Sequence, residues 1–121
     1  MPHTPHKPPR RWSRLLHRTF LAQRTTVVRL RGQIDLRTAE RTTRILLDGL
    51  RGLPRILEAD LSDVDHLSRD GTMVFLIARE HARIRRTRLI VTNASPQAVE
   101  MLGRAGLRGI LAAGGGHKAR S

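Results

Sequence analysis

The chain has no cysteine among its 121 residues. Disulfide scaffolds, thiol chemistry and cysteine-ligated zinc are therefore excluded. Aromatic side chains are nearly absent, with Trp12, Phe20 and Phe75 alone, so the stacking platforms of single-strand nucleic-acid binders are missing. No apolar run approaches the roughly 20 residues that span a bilayer. The segment LLHRTFLA lacks the unbroken apolar centre of a signal peptide, and a cytoplasmic location is expected. Also missing are GxSxG, GxGxxG, GxxxxGK[ST] and HExxH, so enzyme readings have little to stand on. No catalytic residue, cofactor, metal or small-molecule substrate is expected. Asp63, Asp65 and His66 have the donor chemistry of hard-metal ligands, but a polar turn before a helix explains them without one.

What is present in excess is positive charge, a formal +13. Residues 1–24 carry six Lys/Arg and residues 103–121 carry four, with no acid in either stretch, so +10 of the +13 lies at the ends. The middle of the chain is near balance. Nucleic acid or an anionic membrane is thus a possible partner of the basic termini, and the charge says little about the core. MPHTPHKPPRR holds four of the six prolines, and residues 1–17 read as a basic, proline-rich disordered leader. Trp12, Leu15, Leu16 and Phe20 fit a short amphipathic helix whose C-terminal half reads equally as an edge strand. Residues 113–121 read as a flexible, glycine-rich basic tail, leaving one domain over residues 18–112.

Strand and helix signals alternate across that domain. TTVVRLRG is β-branched with period-2 alternation, a strand stopped by Gly32. LRTAERTTRILLDGLRG reads as a helix with Ala39, Leu46 and Leu50 on one face, and PRILEADL as the next strand. In GTMVFLIAREHARIRR the spacing places Met73, Leu76, Ile77 and Ile84 inward and Arg79, Arg83 and Arg86 outward. RLIVTN is a short apolar strand expected to be covered on both faces. Ser95 and Pro96 are placed to open the last helix, and LRGIL to give a final short strand. The alternation predicts an α/β fold: a small mixed, mainly parallel sheet with three to four surrounding helices.

Three segments carry a further signal: Gly32-Gln33-Ile34-Asp35 closing one strand, Asp60-Leu61-Ser62-Asp63-Val64 closing the next, and Leu102, Gly106 and Leu107 around the last helix. In this order and spacing they resemble the STAS domain family, the anti-sigma factor antagonists and their relatives in sulfate transporters and lipid-transport complexes. The family pattern has a glutamate where Gln33 stands. The resemblance implies a non-enzymatic binding module that docks on an anti-sigma factor of the histidine-kinase-like ATPase type, itself a serine kinase, to regulate transcription. It also implies a switch loop, D-S-S-G, at a helix start, where the kinase phosphorylates the second serine.

Here the aligned loop reads Ser68-Arg69-Asp70-Gly71, and Asp70 stands at the phosphoacceptor position. A carboxylate carries about −1, whereas phosphoserine carries roughly −1.5 to −2 with three strong acceptor oxygens. Asp70 reads either as a helix cap or as a permanent charge at the switch. The expected partner surface is Asp35 with Asp65, His66, Ser68, Arg69, Asp70 and Gly71, rimmed by Arg79 and Arg83 of the following helix.

Overall fold

A computed structural model describes residues 24–112. The leader, the Trp12–Phe20 segment and the tail expected from the sequence lie outside them. Seven elements follow in order: β1 (Thr25–Ile34), α1 (Ala39–Asp48), β2 (Ile56–Leu67), α2 (Thr72–Ile84), β3 (Arg88–Thr92), α3 (Pro96–Arg104) and a 3-10 turn, Arg108–Ile110. The strands form one sheet in the order β1-β2-β3, and both strand pairs are parallel. The expected α/β architecture is thus observed, all-parallel among the described residues. The expected last strand is the 3-10 turn followed by a single parallel bridge from Leu111 to Val91.

Strand alternation explains which residues meet. Leu30, Leu57, Ala59, Leu61, Leu89 and Val91 are buried, while their neighbours Val27, Arg29, Ile56, Glu58 and Ile90 are exposed or half-exposed. β3 is therefore not equally covered on its two faces, as its apolar run suggested. On α2 the buried residues are Thr72, Val74, Phe75, Ala78 and Ala82, whereas Met73, Ile77 and Ile84 are exposed, contrary to the inward face expected of them. Phe75 is the bulkiest side chain of the run and sets the phase. At about 100° per residue, Met73, Ile77 and Ile84 fall roughly 160–200° away from it, on the opposite side. The two alanines let the helix approach the sheet closely.

Two strands run past their expected ends. β1 continues through Gly32, which takes a positive φ of 77° rather than stopping the strand. β2 continues to Leu67, so the segment Ser62–His66, expected to be a polar turn, is a bulged strand end. The pairing jumps from Arg29↔Asp60 to Arg31↔Asp63 and from Gly32↔Val64 to Gln33↔His66, so β2 holds one extra residue at each step. Asp65 is the second of these. Bulges bend a strand and leave a residue unpaired, which reconciles a strand with such polar residues. β3 pairs with β2 only as far as Asp60↔Thr92. Beyond that point β2 has β1 on one side and, among the described residues, no strand on the other.

Candidate functional site

The loop at the end of β2 is built by backbone contacts. The Ser68 N–H donates to the Ile34 carbonyl at 2.9 Å, fixing the loop to the end of β1. On the other side, the Gln97 side chain takes the place of a missing strand. Its Oε1 accepts from the Leu67 N–H at 3.0 Å, and its Nε2 donates to the Leu67 carbonyl at 2.6 Å. Gln97 is positioned because Ser95 caps α3, its Oγ accepting from the Ala98 N–H at 3.1 Å, with Pro96 as the first helical residue. Gly71 closes the arrangement, since a Cβ there would overlap the Ile34 carbonyl. Glycine is required by space, not by dihedral angle.

Ser68, not Asp70, does the capping at the start of α2. Its Oγ accepts from the Gly71 N–H at 2.9 Å, and the Thr72 hydroxyl donates to the Arg69 carbonyl at 2.7 Å. The capping reading of Asp70 is thereby corrected: no side chain caps the α2 N-terminus at the residue next to Thr72, and the exposed Asp70 carboxylate makes no hydrogen bond or ion pair among the described residues. Local geometry favours serine because its short hydroxyl reaches the third N–H along, while Asp70 already lies within the turn. Arg69 is exposed beside it. A groove of about 500 Å³ runs from Arg69, Asp70, Thr72 and Met73 to Met101, Arg104 and Ala105.

Asp35 comes close to this loop through Ile34, its neighbour in sequence. Its carboxylate is engaged, however: Oδ1 accepts from the Arg37 N–H at 2.9 Å and the Thr38 N–H at 3.1 Å, shaping the turn into α1. The Thr38 hydroxyl accepts from the Asp35 N–H at 3.0 Å and donates to the Gln33 carbonyl at 2.8 Å. Leu36, between them, is 72% exposed. Asp65 and His66 are exposed on the bulged end of β2. No cluster of three or more metal-ligating side chains is found among the described residues. Arg79 and Arg83 stand apart from the rest. They are exposed 7 and 11 residues along α2 from Thr72, hence roughly 10 and 16 Å further along its axis. Arg83 pairs with Glu80 at 2.6 Å.

Sequence reasoning missed a polar cluster under the same end of the sheet. Asp60 is 6% exposed; Asn93 Nδ2 and the Ser62 N–H each donate to its Oδ1 at 2.9 Å, and Arg29 Nε reaches its Oδ2 at 3.3 Å. Burial alone pushes this carboxyl up, but the bonds from Asn93, Ser62 and Arg29 outweigh it and hold the group at about 2. Asn93 sits at a positive φ of 57°, a conformation asparagine tolerates, and an asparagine after an apolar strand was the one available signal. Gln97 gave none, since a polar residue in the first turn of a helix is ordinary.

A sequence model of the STAS domain matches residues 21–115. No curated protein sequence matches the chain. Solved structures with the same fold include a sulfate transporter family protein from Wolinella succinogenes, 19% identical, covering 75% of this chain and 74% of that one with a TM-score of 0.62. They also include the anti-sigma factor antagonist SpoIIAA in its unphosphorylated form, 18% identical, covering 81% and 86% with a TM-score of 0.64. At such identities the likeness shows the fold alone.

Proposed function

Because the chain belongs to the STAS domain family, we propose that it is a non-enzymatic interaction module, similar to an anti-sigma factor antagonist, that captures an anti-sigma factor of the histidine-kinase-like ATPase type. The observation that carries this reading is the exposed Asp70 carboxylate, offered at a helix start with no internal partner. Unlike Asp35 and Asp60, Asp70 is committed to no bond within the described residues and is free to meet a partner. In this reading Asp70 gives the loop a fixed negative charge in place of a phosphorylation switch. Arg69 adds a cation where the family has a small hydroxyl, which favours a more acidic partner. Leu36 and Met73, 72% and 53% exposed, supply the apolar contact that a protein interface needs at its centre. The surface is therefore Leu36 with Asp65, His66 and the Ser68–Gly71 loop. Asp35 orders the turn behind it. Arg79 and Arg83, further along α2, act on the approach of the partner, where charge sets on-rate more than affinity, and not within the contact itself.

A second reading is an adaptor role in a transport complex, suggested by the comparable fold likeness to a sulfate transporter family protein. Affinity capture with the full chain separates the two. The first predicts recovery of a kinase-like ATPase, lost in Leu36→Asp and retained in Asp70→Ser. Recovery of transporter subunits alone, or undiminished capture by Leu36→Asp, overturns it. Asp35→Lys is an unsuitable probe, because it removes two turn hydrogen bonds and unsettles α1.

A further inference from the structure

The opposite end of the sheet carries a feature that none of this uses. The Arg55 N–H donates to the Arg24 carbonyl at 3.1 Å and the Arg88 N–H to the Arg55 carbonyl at 2.9 Å, which brings the backbones of three arginines together at the strand starts. The turns entering β2 and β3 add Arg51, Arg85 and Arg86. Those turns are fastened together by the Thr87 hydroxyl, which donates to the Pro54 carbonyl at 2.6 Å. Against this stands Asp48, paired with Arg51 at 3.3 Å. Arg24, Arg55, Arg86 and Arg88 are exposed and make no ion pair among the described residues. At the loop end Asp35, Asp60, Asp63, Asp65 and Asp70 are mixed with Arg29, Arg31, Arg37 and Arg69, whereas at this end arginines outnumber acids.

Helix termini account for part of this pole. Arg51 and Arg85 follow α1 and α2, and Arg85 donates to the His81 carbonyl at 3.3 Å, as cations near helix C-termini do. Arg24 and Arg55 precede strands, Arg88 begins one, and none has such a role. Two apolar side chains stand among the cations: Ile84, 70% exposed, and Leu53, 41% exposed, beside a shallow hollow of about 230 Å³ shared with Arg85 and Arg86. Leu53 and Arg86 hold left-handed backbone conformations, with φ of 51° and 59°, where glycine or asparagine fits without strain. Turn geometry alone does not select a leucine and an arginine there.

We propose that this pole docks on an anionic phospholipid membrane. The arginines engage lipid phosphates, and Ile84 and Leu53 enter the boundary between headgroups and acyl chains. In sequence, residues 1–23, outside the described residues, carry five more Lys/Arg and precede Arg24. A nucleic-acid backbone would match the arginines but leave the two aliphatic side chains against phosphate, and among the described residues the pole has no aromatic side chain for a base. The inference shares no residue with the partner surface proposed above and stands or falls separately.

Co-sedimentation of the full chain with phosphatidylcholine vesicles, with and without phosphatidylglycerol, tests it. Binding is expected only with phosphatidylglycerol and weakens with salt. Arg55→Gln/Arg88→Gln lowers affinity about thirtyfold, each arginine contributing about fivefold at an anionic surface. Ile84→Ser weakens vesicle binding while leaving retention on a short duplex DNA unchanged. Since residues 1–23 are retained in every variant, equal vesicle binding by wild type and the arginine variant overturns the proposal. So does duplex binding that falls in the arginine variant while vesicle binding does not. The substituted side chains are exposed, and an unchanged thermal transition checks the fold; Arg24→Gln/Arg86→Gln serves if the first pair misfolds.

Discussion

Gln97 offers the sharpest test of how the loop is held. Replacement by alanine removes both hydrogen bonds to Leu67, a residue with 0% exposure, and leaves its N–H and carbonyl without partners. Each buried backbone group left unpaired costs about 1–3 kcal/mol, so the expected loss is about 3 kcal/mol, with partial water entry setting the lower side. In a domain whose total stability is of order 5–15 kcal/mol this is a large share. With a urea m-value of about 1.5 kcal/mol/M, the unfolding midpoint falls by about 2 M. Gln97→Glu sharpens the test. The ionised carboxylate still accepts from the Leu67 N–H but faces its carbonyl with no proton to donate. Protonation restores a donor, so the folded-state pKa of this glutamate is raised, and Gln97→Glu gains stability relative to wild type as pH falls through that value. Urea titrations at neutral and acid pH, with hydrogen exchange of the Leu67 amide, measure both effects. A loss below about 1 kcal/mol in Gln97→Ala, with Leu67 exchange unchanged, refutes the bracket.

Other perturbations separate support from presentation. Ser68→Ala removes the α2 cap and costs about 1 kcal/mol, whereas Asp70→Asn changes stability by only a few tenths through the helix dipole; thermal melts that reverse this order contradict the assignment. Gly71→Ala forces a Cβ into the Ile34 carbonyl and lowers stability by at least about 2 kcal/mol, read from the urea midpoint. Asp60 is held at about 2 against an ordinary 3.8, so it contributes stability of about 2 kcal/mol above pH 4 that is lost as pH falls from about 4 to 2. Asp60→Asn should remove that part of the acid dependence, and an unaltered acid unfolding curve counts against the network.

The element order and the Ser95–Pro96 helix start were legible because each depends on neighbours in sequence. The loop residues were legible through family resemblance, and the structure brings Asp35 and Ser68–Gly71 together. Other features were hidden because they arise between distant segments. The phase of α2 followed from one bulky side chain meeting a sheet, which a run of seven mostly apolar residues does not reveal. The bulged end of β2 depends on pairing with β1, and its polar residues read locally as a turn. Asp70 looked like a cap because aspartate before a helix is often one, yet Ser68, two residues earlier, was better placed. The arginine cluster at the strand starts exists only once parallel pairing brings the chain at positions 24, 55 and 88 together.

The loop's shape is written in atoms that every residue has. A carbonyl of Ile34, the two backbone groups of Leu67 and the room left at Gly71 fix its path, with Ser68 and Gln97 as the side chains that matter. Positions 69 and 70 contribute no side-chain bond to it. The fold is therefore indifferent to what signal those two positions carry, and a phosphate-accepting serine can be exchanged for a fixed charge without first re-engineering the scaffold. Such a domain can change how it is regulated, or cease to be regulated, at the rate of single substitutions.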